Sequence, residues 1–216
     1  MISANLKKRI NTSIFLLLIL VLIWFSKLTL VFFLIIIGVL STLEFLSLIR
    51  KIKINLFNKF LTNFIFIIYI SLFNFTFFFF SNFPQLKMIL FSILFGCIAS
   101  DIGGYLFGKL FGGPKLSKFS PKKTISGSLG SIFSASIIMF ITIFYFTNNL
   151  NYKFIIIGII TSIFSQFGDL FFSFLKRKAK IKDTGNFLPG HGGILDRIDG
   201  ILLGIPFGFL SMMFIY

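Results

Sequence analysis

The chain alternates long apolar runs with short stretches that hold most of its charges and prolines, and the lengths of those runs set the first reading. A helix needs about 20 apolar residues to cross a hydrocarbon core of roughly 30 Å. Seven runs are candidate spans: Ile10–Phe25, Leu28–Ile49, Phe60–Phe80, Met88–Phe107, Leu129–Phe146, Phe154–Phe172 and Ile201–Tyr216. The first two are parted by little more than Ser26 and Lys27, a spacing that also suits a re-entrant hairpin. No internal repeat and no soluble domain stand out. The pattern therefore predicts an all-α, polytopic membrane helical bundle of about seven transmembrane helices. It reads as one integral membrane domain over 1–216, with N-terminal spans in 1–87 and the chemistry-bearing spans and loops in 88–216.

Composition supports this. Of 216 residues 56% are hydrophobic and only 12% charged, and a mean hydropathy of +0.99 is too high for a soluble domain of this size. A net charge of +15 would suit nucleic acid in a soluble chain, but twenty-residue apolar runs exclude that class. Anionic lipid headgroups and phosphate substrates are the partners that remain. Lys7, Lys8 and Arg9 precede an apolar run as in a signal peptide, yet Trp24, Phe25 and Ser26 offer no small-x-small cleavage site, so a retained first span is expected. The single Cys97 can form no internal disulfide and belongs to no thiol set for a metal; it reads as a small buried hydrophobe.

Charge also sets the orientation. With the N-terminus in the cytoplasm, all but three of the 21 lysines and arginines fall in inner segments, the exceptions being Lys27, Lys87 and Lys153. The acids follow. Glu44, Asp101 and Asp169 lie towards the inner ends of the second, fourth and sixth spans, and Asp183, Asp196 and Asp199 lie in the last inner loop. An ionisable group in or beside a span is costly and marks a candidate site. For Glu44 a helix-end charge near Arg50 and Lys51 is an equally good account.

The last inner loop, residues 173–200, combines basic side chains, carboxylates, a Pro-Gly turn and the only histidine. These residue types suit phosphate chemistry: Lys and Arg neutralise phosphate oxygens, glycines allow close backbone approach, and aspartates hold a hard divalent cation. If the last helix begins near Leu195, Asp196 and Asp199 fall three apart on one face, and open amides at the helix N-terminus favour an anion. Asp169 can add a carboxylate from a second helix. The earlier inner loop, from Lys109 through Gly112-Gly113-Pro114 to Ser120-Pro121-Lys122-Lys123-Thr124, is a second basic, glycine-bearing stretch suited to a triphosphate, although such loops are most often topology signals alone.

The pattern Ser173-x-x-Lys176-Arg177, Lys182-Asp183-x-Gly185, Leu188-Pro189-Gly190-His191-Gly192-Gly193 and Asp196-Arg197-x-Asp199 resembles the signature of the phosphatidate cytidylyltransferase (CDP-diglyceride synthetase) family. Upstream, Gln166-Phe167-Gly168-Asp169-Leu170, Asp101 with Tyr105 and Gly108, and the Ser120–Thr124 loop resemble further elements of that family, so the likeness covers roughly residues 101–206.

The resemblance implies transfer of the CMP unit of CTP to phosphatidate with release of pyrophosphate, at the cytoplasmic face of a bacterial inner membrane. It implies magnesium, alone or with a second cation, held by Asp169 and Asp196, with Asp199, Lys123 and Arg197 completing the catalytic set. Asp101, Ser120, Lys122, Lys123, Thr124, Ser173, Lys176, Arg177, Lys182, Asp183, His191, Gly192 and Gly193 are the expected substrate-binding residues. Gly192 and Gly193 would let backbone amides approach phosphate, and His191 is read first as a loop-stabilising group. A homodimer is a further implication. Two departures stand out: Ser126 where the family usually carries Glu before Gly127, and a first half shorter than usual. Two alternatives remain open, a CTP-dependent polyprenol or phytol kinase and a non-enzymatic transporter or lipid-binding protein.

Overall fold

A computed structural model describes residues 4–148, 151–188 and 192–215. Seven helices are found among them: α1 (Ala4–Phe25), α2 (Lys27–Lys51), α3 (Leu56–Ser81), α4 (Pro84–Phe111), α5 (Ile125–Thr147), α6 (Lys153–Lys178) and α7 (Leu195–Ile215). Each predicted span falls inside one of them, apart from Tyr216, which lies outside the described residues. Most helices outrun the apolar run on which they are built, because their ends continue through charged and polar residues that suit an interface. α2 to α7 are each long and apolar enough to cross a membrane, while the apolar part of α1, Asn11–Phe25, is shorter. The chain is a polytopic, all-helical membrane protein with no strand beyond two isolated bridges among the described residues.

Two compact units make up the chain, and their boundaries fall inside α3, α6 and α7. The first comprises Met1–Phe78 and Leu175–Ile198, the second Phe79–Phe174 and Asp199–Tyr216.

In the first unit, α2 begins directly after α1. Ser26 ends one helix and caps the next, its hydroxyl accepting the Thr29 N–H at 3.3 Å. α2 buries Leu30, Leu34, Ile37, Ser41, Phe45, Leu48 and Ile49, a stripe at helical spacing. Phe45 stacks on Phe66 of α3 with centroids 3.8 Å apart. The Asn74 amide of α3 reaches the Leu34 carbonyl at 3.1 Å. It passes over Gly38, where a Cβ would come within 2.5 Å of that amide nitrogen.

The second unit is held by small residues. Lipid tails give helices no hydrophobic reason to associate, so close backbone approach and interhelical hydrogen bonds must supply the attraction. On α4, Gly103 and Gly104 face Gly127, Gly130, Ser131 and Ser134 of α5. A Cβ on Gly103 would overlap the Ser134 hydroxyl and stand 2.6 Å from the Gly130 carbonyl. A polar ladder crosses the same layer. Ser131 donates to the Ser100 carbonyl at 2.7 Å, Ser100 and Ser162 share a bond of 2.8 Å, and Gln166 joins Ser162 to Ser128. This ladder fixes α6, and with it Asp169, against α4 and α5.

Gly103→Leu is expected to destabilise the protein by about 1–3 kcal/mol through overpacking, seen as a lower thermal midpoint in mild detergent. Ile102→Leu, at an exposed position on the same helix, should leave the midpoint unchanged. Equal midpoints for the two variants would show that the α4–α5 seam is not closely packed.

Candidate active site

Among the residues nominated from sequence, two lysine–carboxylate pairs form, Lys123 with Asp169 in the second unit and Lys176 with Asp196 in the first. In the second unit, α4 ends at Gly112, whose amide bonds the Gly108 carbonyl at 3.1 Å. Gly112 and Gly113 take φ values of 60° and 107°, left-handed conformations open to glycine and strained for other residues. The chain then folds back on itself. Lys115 bridges Thr124, the Leu116 amide bonds the Lys123 carbonyl at 2.8 Å, and the Ile125 amide bonds the Pro114 carbonyl at 3.0 Å. The basic loop is thus a short hairpin that delivers its last residues to the start of α5.

Thr124 caps α5 by accepting the Gly127 N–H at 3.1 Å. Ser126 donates to the Gly112 carbonyl and shares a 3.0 Å bond with the Thr124 hydroxyl. It locks the two ends of the hairpin together. Lys123 is thereby held with Nζ 2.5 Å from Asp169 Oδ2, the two side chains 32% and 16% exposed. Lys122 and Asp101 are exposed, Ser120 and Ser173 half-buried. Asp199 is buried, with Oδ1 accepting the Gly200 N–H at 3.0 Å.

The first unit holds most of the signature loop. α6 ends in a Schellman turn, with Lys180 at φ 57°, its amide on the Arg177 carbonyl and the Ile181 amide on the Lys176 carbonyl. Lys176 Nζ lies 2.7 Å from Asp196 Oδ1, and these side chains are only 13% and 5% exposed. The other oxygen, Asp196 Oδ2, accepts the amides of Thr184 at 2.8 Å and Gly193 at 3.0 Å. Asp196 therefore closes the loop on itself while capping the helix that carries it.

Glu44 supplies the second anchor. Its carboxylate, on α2, accepts the Ile194 amide at 3.0 Å, the Leu195 amide at 2.9 Å and the Thr184 hydroxyl at 2.8 Å. A carboxylate at a helix N-terminus satisfies orphan amides and is favoured by the helix dipole. Gly185 and Gly193 make room for it: a Cβ on Gly185 would stand 2.6 Å from Glu44 Oε1, and one on Gly193 would overlap Oε2.

This corrects part of the sequence reading. α7 begins at Leu195 as expected, but the Gly193, Ile194 and Leu195 amides are taken by Asp196 and Glu44 instead of standing open to phosphate. The missing side chain of Gly193 admits Glu44. Glu44 is no snorkelling end charge either. Its spacing from Ser41, Phe45 and Leu48 puts it beside the buried stripe of α2, the signal that marks it as an inward acid. Lys182, Asp183, Arg177 and Arg197 are exposed, and Gly192 sits at φ 83° over Asp183. His191 lies outside the described residues.

Among the described residues no three His, Cys, Asp or Glu side chains form a metal-holding group. Magnesium, however, usually takes one or two carboxylates and completes its shell with water and substrate phosphates. Asp169, in the second unit, and Asp196, in the first, are hard oxygen donors that each hold a lysine ammonium, and each carboxylate taken by itself is a donor of the kind such an ion accepts.

Fold and clusters together define an all-helical membrane protein that pairs lysines with carboxylates in its polar loops and helix ends. The chain belongs to the cytidylyltransferase family, whose sequence model matches residues 51–215. Curated relatives named phosphatidate cytidylyltransferase include one from Rickettsia bellii, 46% identical over 125 residues, covering 53% of this chain and 54% of the relative. One from Staphylococcus haemolyticus is 44% identical over 109 residues, covering 50% and 42%. One from Staphylococcus aureus is 41% identical over 135 residues, covering 61% and 51%. The chain spans about half the length of the curated relatives it matches.

Glu44→Ala leaves two amides and a hydroxyl without their acceptor and is expected to cost about 2–3 kcal/mol. Amide hydrogen exchange of residues 182–197 should accelerate, with a smaller change in Glu44→Gln, which keeps one acceptor oxygen. Unchanged exchange in Glu44→Ala would show that the loop is held by other means.

Proposed function

We propose that the protein is a membrane nucleotidyltransferase that moves the CMP unit of CTP onto phosphatidate, giving CDP-diacylglycerol and pyrophosphate. The placing of lysines and arginines along the chain supports a cytoplasmic face, and the bacterial relatives support an inner membrane. One observation carries the reading most directly. Each cluster pairs a largely buried carboxylate of the family pattern with a lysine, Lys123 with Asp169 and Lys176 with Asp196. A carboxylate that can hold a cation and an ammonium that can hold a phosphate are what phosphoryl chemistry asks of a protein.

In the reaction, a phosphate oxygen of phosphatidate attacks the α-phosphorus of CTP. A new P–O bond forms, the bond from the α-phosphorus to the bridging oxygen breaks, and its electron pair leaves on pyrophosphate. The attacking oxygen is already anionic at neutral pH, so the protein must shield charge and needs no base. Lys122, Lys123, Lys176, Arg177 and Arg197 would neutralise the triphosphate and the lipid phosphate. Asp169 and Asp196 would hold magnesium, which when bound shields the phosphate oxygens and the departing pyrophosphate. Asp196 is suited to this because backbone amides pin Oδ2 and leave Oδ1, the lysine-bound oxygen, to change partners. Each lysine can exchange a carboxylate oxygen for a phosphate oxygen, since both are anionic acceptors.

The full chain in vesicles with phosphatidate, CTP and magnesium should yield CDP-diacylglycerol and pyrophosphate in equal amounts, and a chelator should stop the reaction. CDP and a phosphorylated alcohol would identify a lipid kinase instead. Asp169→Asn and Asp196→Asn should each lower the rate by at least about 100-fold with membrane insertion unchanged. Full activity in either variant would remove that carboxylate from the mechanism.

A further inference from the structure

The first unit contains a cavity of ≈ 590 Å³ whose walls are entirely apolar. Leu16 and Ile19 of α1, Ile36 and Leu40 of α2, and Leu188 of the signature loop line it, and Arg197 contributes the aliphatic stem of its side chain. We propose that this groove seats an acyl chain of phosphatidate, with the phosphate of that lipid at the Arg197 guanidinium. The proposal rests on the reading of the protein as a phosphatidate-using enzyme and gives that substrate a place.

Three features select this occupant. CTP is polar throughout and gains nothing from such walls; the lipid is the only reactant with hydrocarbon to bury. Arg197 is exposed while its stem lines the groove, the disposition of a long basic side chain that bridges hydrocarbon and an anion. The segment that runs to Leu188 on the groove wall also carries Arg177 and Lys178 in the last turn of α6 and Lys180 and Lys182 beyond it, all exposed. That concentration of positive charge suits a doubly anionic phosphate monoester over the zwitterionic heads of neutral lipids. From Phe33 to Leu40, the groove follows α2 for about 10 Å, enough for part of a chain and leaving the remainder in the bilayer.

An apolar groove on a membrane helix also collects ordinary bilayer lipid, so the test turns on selectivity. The full chain is placed in phosphatidylcholine vesicles with a trace of phosphatidate bearing a diazirine on one acyl chain. Photolabelling should fall on α1 and α2 within the groove and be displaced by unlabelled phosphatidate. Labelling from a diazirine phosphatidylcholine should not be displaced. Equal, undisplaced labelling by both probes would reveal bulk lipid only and overturn the proposal.

In a parallel assay, Ile36→Trp, which fills the groove, should lower the ratio of kcat/KM for dioleoyl over dioctanoyl phosphatidate by about tenfold, through lost packing contacts between the groove and the longer chain. Val21→Trp, exposed on α1 outside the groove, should not move the ratio. A ratio unmoved by Ile36→Trp would count against the groove. Labelling needs no turnover. Selective labelling without CDP-lipid would keep the groove and discard the reaction; CDP-lipid without selective labelling would do the reverse.

Discussion

A single carboxylate on an apolar helix organises the signature loop. Glu44 stands in α2, far from the loop in sequence, and takes two backbone amides and a hydroxyl from it. A charged group beside a span is stable only if it is fully hydrogen-bonded, and the amides at the start of α7 need acceptors just as much. Each need meets the other. Thr184 extends the link, giving its hydroxyl to Glu44 and its amide to Asp196. The orientation of Asp196 is therefore set by the same network that fixes the first turn of α7.

The second unit reaches a comparable result by other means. Glycine and serine at the α4–α5 seam bring backbones together, and the Ser131–Ser100–Ser162–Gln166 ladder ties α6 to them. On that frame the hairpin closed by Ser126 sets Lys123 upon Asp169. Ser126 thus gives the hairpin a structural bond. In both units the charged groups rest on backbone amides, caps and close helix contacts, which supply rigidity in a chain with few charges to spare.

Much of this was legible in the sequence, and the gaps have physical causes. Helices followed from run length because a bilayer imposes one crossing distance, and Asp196 with its lysine-rich approach stood out because charges are scarce in so apolar a chain. The hairpin of residues 112–124 was not legible: it depends on backbone bonds between Pro114, Leu116, Lys123 and Ile125, which leave no periodic trace. Glu44 showed as a candidate but its partners did not, since they are amides of residues 150 positions away. The expectation of open amides at Gly193 failed for the same reason, as spacing within the loop cannot reveal an acceptor brought by another helix. Belonging to the cytidylyltransferase family agrees with the motifs read from residues 101–206.

The central claim is that these paired lysines and carboxylates serve transfer at the α-phosphorus of CTP. Its most direct test follows the phosphorus atoms. The full chain in phosphatidate vesicles is supplied with CTP radiolabelled at the α- or at the γ-phosphate, and the lipid fraction is counted. The account predicts α-label in the lipid and γ-label in free pyrophosphate; γ-label in the lipid, or none from either nucleotide, would contradict it.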